Sequence, residues 1–432
     1  MKKVRFFYDT TTQDILVSDD TPVLISKVDQ LKSKRDGRQL VKEAMEHPIG
    51  SPRLKELARG KKDCVIIISD HTRPVPSQDI LPEMINELLE GNPKIDIRLL
   101  VATGFHRPTS TEELQAKLGK TLYAQFKDKI IVHDAHDPSR NEQVGTLPSG
   151  PACIIDKEAI HTDLLIAEGF IEPHFFAGYS GGRKSVLPGI ADAVTVMGNH
   201  CSKFIDDPNA RTGILKNNPI HKDMLEAARL AKLAYIVNVV IDEEKKTVAA
   251  FAGDFEKAHE AGCAFLDPYV CVEPKKADIV ITTNGGYPLD QNAYQSPKGM
   301  SAAEATVKED GVIIMLASCK DGTGGDFFYH IIADEPDIET AYQKFLATEQ
   351  TKTRPDQWCS QILARIARKH PILFVADPSQ KEMIEGLKMI YMPSLEAALE
   401  KAYAMKGKDA TLTCIPNGVS IVVKENQNTA DQ

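Results

Sequence analysis

Several polar clusters in this chain carry side chains able to do chemistry, and each follows an apolar run. DHTRP at 70–74 follows CVIIIS, and TGFHRP at 103–108 follows an apolar stretch ending at Ala102. The longest, EPHFFAGYSGGRK at 172–184, follows LLIA and leads on to GNH at 198–200. NGGYPLDQN at 284–292 and SCKDGTGG at 318–325 complete the set. His106 and His174 stand in equivalent loop positions, a pairing that suits proton transfer in two directions. His71 equally suits a backbone hydrogen bond. Arg73 beside Pro74 could clamp a carboxylate or phosphate, or form a surface ion pair. His200, at a predicted helix end, could complement the helix dipole or ligate a metal. One histidine is not a metal site, and no metal-binding motif built from protein ligands alone is visible.

The segment GYSGGRKS at 178–185 nearly fits a nucleotide-triphosphate loop, but Arg183 stands where that motif needs glycine. Some ten residues also separate it from its strand, where such a loop follows directly. A Gly-rich nest for a mononucleotide phosphate survives, built from Ser180, Gly181 and Gly182. Lys184 could then be a phosphate partner or a point of covalent attachment.

Strand–helix alternation must position these loops. Continuous apolar runs such as 64–69 read as strands covered on both faces. Helices are expected over 78–89, 191–198, 219–232, 254–265, 301–308, 337–346, 357–370 and 395–405, with Asn218 as an N-cap. Residues 1–35 read as three short antiparallel strands. The fold expected is α/β, with two domains, each a largely parallel sheet flanked by helices, and the active site in the interdomain cleft. The expected boundaries are 1–272 for a cofactor-binding domain and 273–410 for a second domain, with a hinge near CVEPKK at 271–276. Residues 411–432 are candidates to rejoin the first domain, and ENQNTADQ at 425–432 reads as disordered.

The 432 residues, 42% hydrophobic and 26% charged, suit two globular domains. A net charge of −9 argues against general nucleic-acid affinity. No run is long enough to span a bilayer, and the N-terminus lacks the apolar region of a signal peptide. The eight cysteines form no C-x-x-C pair and read as reduced thiols of a cytoplasmic protein.

Taken together, SDHTRP at 69–74, GFHRP at 104–108, EPHFFAGYSGGRKSVLPG at 172–189, GNH at 198–200 and GGYPLDQNAYQSPKG at 285–299 closely resemble the LarA-type lactate racemases, across nearly the whole chain. The resemblance implies a nickel-pincer nucleotide, a Ni(II) pyridinium-3,5-bisthiocarboxylic acid mononucleotide, bound covalently through Lys184. His200 would be the protein ligand of nickel, whose other donors come from the cofactor. His106 and His174 match the family's acid/base pair. Asp70, His71, Thr72 and Arg73 match a cofactor- and substrate-binding loop, and Gln295 and Lys298 match positions that hold the substrate carboxylate. Separate enzymes would have to assemble the cofactor.

Chemistry agrees with this implication. The C2 hydrogen of a 2-hydroxy acid is very weakly acidic beside a carboxylate. Its removal as hydride is easier when a base takes the hydroxyl proton at the same time. The planar keto acid can then accept hydride on its other face. Phe175, Phe176, Tyr294 and Trp358 could shape a pocket for a short aliphatic side chain, or could pack in the core. The alternatives are a racemase or epimerase of a larger 2-hydroxy acid and a non-catalytic relative that binds the nickel nucleotide. Oligomeric state is not readable.

Overall fold

The computed structural model describes residues 1–424. The terminal stretch expected to be disordered lies outside the described residues. Two compact units emerge: residues 27–199 with 214–269, and residues 1–26 with 200–213 and 270 onward. The alternating strands and helices are those of an α/β fold.

The first unit holds a six-stranded sheet. Its order is Thr247–Gly253, Leu233–Ile241, Leu165–Phe170, Asp63–Ser69, Asp96–Ala102 and Ile130–Val132. Every neighbouring pair is parallel except the first. Five successive residues of Asp63–Ser69, Cys64 to Ile68, are buried, because helices cover both faces. Helix Thr111–Phe126 starts in a capping box: Ser110 accepts from Glu113 N, and Glu113 bonds back to Ser110 N. Asn218 caps helix Pro219–Leu230, as expected, accepting from Ile220 N and His221 N.

The second unit holds an all-parallel five-stranded sheet in the order Ile390–Met392, Ile372–Val375, Val307–Leu316, Ala277–Thr283, Leu412–Ile415. Strand Leu412–Ile415 pairs with Ala277–Thr283, so the chain's end completes this sheet and does not rejoin the first domain. The start of the chain belongs here too, contrary to the expected 1–272 domain. Lys2–Tyr8 and Thr11–Val17 form an antiparallel hairpin. Its apolar face, Val4, Phe6, Ile15 and Val17, packs in one core with Ile279, Ile281, Leu316 and Cys414. The third strand expected in that region is absent; Val23 makes one isolated bridge to Cys414. Cys271–Val272, in the expected hinge, pairs with Val422–Val423. The helix expected over 301–308 is Ser296–Glu304, entered through Pro297, and Val307 already opens the next strand.

None of the eight cysteines is in a disulfide, and seven of them are buried. Among the described residues no helix is long and apolar enough to cross a membrane.

Candidate active site

In the six-stranded unit, Asp63–Ser69 and Asp96–Ala102 run parallel in register, with Ser69 opposite Ala102. The loops that follow both strands therefore leave the same sheet edge side by side. Asp70 is 1% exposed, and its Oδ2 lies 2.6 Å from His106 Nδ1. Its Oδ1 accepts from Thr72 Oγ1 at 2.8 Å, and Arg73 Nη1 donates to that hydroxyl at 3.2 Å. Burial pushes the Asp70 carboxyl up. The hydrogen bond and charge of His106, then Thr72 and Arg73, outweigh burial and hold the carboxyl below its ordinary value. An ionised Asp70 only accepts, so Nδ1 of His106 donates, and in the neutral ring Nε2 carries the lone pair.

His174 is set the other way. Ala177 N donates to its Nδ1 at 3.2 Å, so the neutral ring carries its proton on Nε2. That nitrogen lies 3.5 Å from Lys184 Nζ. Phe175 and Phe176 fix the ring, with centroids at 5.1 and 4.5 Å. Lys184 also faces the Phe176 ring at 5.8 Å. Burial first, then the charges of Arg183 and Arg73, hold its amine well below the ordinary lysine value, with Glu172 opposing. Among the described residues no carboxylate lies within ion-pair distance of it.

Loop 178–185 departs from the phosphate-nest expectation. Gly181 and Gly182 sit at φ +81° and +54°, where only glycine is unstrained. Yet Ser180 N donates to Glu172 O at 2.8 Å, and Gly182 N to the buried Asn238 Oδ1 at 2.7 Å. Both donors are spent inside the protein. Positive charge is in excess elsewhere: Arg73, Lys117 and Lys245 line one recess with His71, Ser77 and the acid Glu113. His71 Nδ1 is itself engaged at 3.1 Å by Thr109 Oγ1. The sequence offered no signal for Lys117, Lys245, Asn238 or the burial of Arg183.

In the five-stranded unit, the start of helix Gln357–Ala367 gathers the other candidates. His200 is 5% exposed and meets the Trp358 ring edge-on at 4.9 Å. The Tyr294 hydroxyl lies near Cys359 and Asp356; burial first, then those two groups, raise it well above its ordinary value. Lys298 lies close enough to act on the Cys359 thiol by charge. Asn284 shapes the loop carrying Tyr294, Gln295 and Lys298. Its amide donates to Leu289 O and Gln295 O at 2.8 and 2.7 Å, and its oxygen accepts from Gly299 N at 3.0 Å.

Among the described residues no group of three His, Cys, Asp or Glu could hold a metal. Any metal used with His200 must bring most of its donors with it. A group that carries its own donor atoms meets that need, and an amine held well below the ordinary lysine value suits covalent attachment.

Comparison with known proteins agrees with these features. Residues 8–213 match the family described as lactate racemase N-terminal domain, and residues 272–423 match that described as lactate racemase C-terminal domain. A lactate racemase of Lactiplantibacillus plantarum is 50% identical over 419 residues, covering 96% of this chain and 98% of the relative. One from Thermoanaerobacterium thermosaccharolyticum is 49% identical over 403 residues, covering 93% and 94%. The lactate racemase apoprotein structure from that organism superposes with a TM-score of 0.93 at 47% identity, covering 98% of this chain and all of the other. A Thermotoga maritima protein at 17% identity and a TM-score of 0.63 shares the fold.

Proposed function

The chain belongs to the lactate racemase family, and on that premise we propose that it interconverts L- and D-lactate with a nickel-pincer nucleotide. The observation that carries this reading is the opposed setting of two histidines: His106 Nδ1 bound to Asp70 at 2.6 Å, and His174 Nδ1 bound by a backbone N–H at 3.2 Å. One imidazole presents a lone pair at Nε2 and the other an Nε2–H that becomes a competent acid once its ring is protonated, the two roles that inversion of a hydroxyl-bearing carbon demands.

Lys184 would hold the cofactor covalently, and His200 would complete the nickel ligand set. The loop from Asp70 to Arg73 would line its binding region. Arg73, Lys117 and Lys245 give their recess the charge a nucleotide phosphate needs. When bound, the cofactor supplies an electron-poor acceptor for the C2 hydrogen and its electron pair. His106 Nε2 takes the hydroxyl proton as that hydrogen leaves, and Asp70 steadies the resulting imidazolium. Once protonated at Nδ1, with Ala177 N released, His174 would give its Nε2 proton to the carbonyl oxygen on the opposite face. For the other enantiomer the two exchange roles. Gln295 and Lys298, with Arg73, hold the carboxylate through the reorientation. Tyr294 and Trp358 bound the methyl side.

Racemisation of each lactate enantiomer is measured with protein co-produced with cofactor-assembly enzymes and nickel. Equilibration from both sides, lost in His106→Ala and in His174→Ala, is expected. Absence of turnover by protein shown to carry nickel and the Lys184 adduct would exclude lactate. Longer 2-hydroxy acids would then be tried.

A further inference from the structure

Beneath loop 177–185 lies a cation that the proton and hydride transfers do not use. Arg183 is 0% exposed. Its Nη2 donates to Ala177 O at 2.7 Å, and its Nη1 to Tyr179 O at 2.8 Å and Gly181 O at 3.2 Å. Nη1 also lies 3.0 Å from His259 Nε2, and that ring nitrogen lies 2.8 Å from Ser180 O. The carbonyls of residues 177, 179, 180 and 181 thus converge on one buried polar cluster. Among the described residues no carboxylate pairs with the guanidinium. Burial lowers Arg183 only to about 10, so it stays charged near neutrality. His259 is held well below the ordinary histidine value, first by burial and then by Arg183, so it is neutral beside that charge.

A buried cation without a counter-ion is costly, and an apolar side chain of similar volume would pack there at lower cost. Its charge acts on the next residue. The groups facing the Lys184 amine are Arg183, Arg73, Glu172 and His174, so two fixed cations oppose one acid. We propose that Arg183 is a positioning residue for Lys184: it folds residues 177–181 around its guanidinium and so fixes a buried cation beside the residue whose amine, 3.5 Å from His174 Nε2, bonds the cofactor. The proposal rests on the reading of Lys184 as the attachment point. An unprotonated amine has the lone pair needed to bond an acyl-type carbon, whereas an ammonium has none.

The test uses full-length protein made without cofactor. N-hydroxysuccinimidyl acetate transfers an acetyl group to unprotonated amines and releases N-hydroxysuccinimide. Peptide mass spectrometry follows acetylation of Lys184 against pH, with the exposed Lys401 as internal reference. In the wild type, the Lys184 midpoint is expected below that of Lys401. In Arg183→Met it should rise by about one unit, which is about tenfold slower acetylation near neutral pH. Arg183→Lys keeps the charge and should keep the midpoint low. A folded Arg183→Met protein with an unmoved midpoint would overturn the proposal. So would an Arg183→Lys midpoint raised as far as that of the methionine variant. If Arg183→Met does not fold, the wild-type comparison decides: a Lys184 midpoint no lower than that of Lys401 overturns the proposal. These readouts involve no turnover, so they can fail while racemisation stands, and the converse holds.

Discussion

His106 Nδ1 and Asp70 Oδ2 lie 2.6 Å apart, with the carboxylate 1% exposed and the imidazole side chain 42% exposed. The buried acid fixes the tautomer of a ring whose other nitrogen faces outward. Asp70→Asn removes the charge and lets an amide N–H point at Nδ1, which moves the ring proton to Nε2. Racemisation should fall about 10²–10⁴-fold, the usual worth of a positioned general base. Circular dichroism should stay native. Steady-state rates on enzyme matched for Lys184 adduct and nickel check this, and a loss under threefold would remove Asp70 from the mechanism.

The opposite settings of His106 and His174 make the two directions unequal in rate. To act as base, His174 must first move its ring proton to Nδ1 and release Ala177 N. Enantiomers have equal free energies, so kcat/KM must be equal in both directions. We expect kcat and KM to be higher together for the enantiomer that His106 deprotonates. Initial rates from pure L- and pure D-lactate give the comparison. Equal kcat values would remove the tautomer assignment.

Gly181→Ala tests the loop's backbone. At φ +81°, an added Cβ would stand 2.6 Å from Asn238 Oδ1 and 2.9 Å from Phe170 O. Gly60, at φ +74° with nothing within 4 Å, isolates the conformational part. Urea unfolding should show about 1 kcal/mol lost in Gly60→Ala and about 2–4 kcal/mol in Gly181→Ala. Equal losses would mean that Asn238 and Phe170 yield freely.

Acid should destabilise the protein partly through His221. This ring is 6% exposed, and its Nδ1 is buried without a hydrogen-bond partner. Burial first, then Arg183 and Arg229, lower it from 6.5 to about 3. Between those values the unfolded chain binds the proton and the native protein does not, so stability falls as pH drops through that window. Glu168, raised by burial, acts in the opposite sense, so the informative quantity is a difference between variants. His221→Gln should lose about 2–3 kcal/mol less than wild type between about pH 7.5 and 4.5. Parallel urea curves at the two pH values measure it; identical losses would show that His221 is protonated in the native state.

Much of this architecture was readable from apolar runs. CVIIIS could only be a strand covered on both faces, and the polar residues after it had to sit at a sheet edge. Asp70 and His106 were each singled out, but not as partners. The signal was present: two neighbouring parallel strands end in DHTRP and GFHRP, so their loops must adjoin. Other features had no local signature. Strand Asn141–Thr146, which pairs with Ala152–Asp156 in a hairpin, is short and largely polar. The alternation in residues 2–17 reveals an apolar face but not which sheet it covers. Arg183 looked like a defect in a phosphate loop, because burial of an arginine depends on carbonyls that only the folded loop brings together.

The N-terminal hairpin has a consequence for synthesis. In the order of synthesis, 408 residues separate Phe6 from its core partner Cys414. At about 5–20 residues per second, roughly 20–80 s separate them. Throughout that interval Val4, Phe6, Ile15 and Val17 have no sheet to cover. The six-stranded unit, complete by residue 269, can fold while the chain is still growing. The other unit cannot complete its sheet until strand Leu412–Ile415 has been made, and until then the nascent hairpin is where a chaperone would be needed.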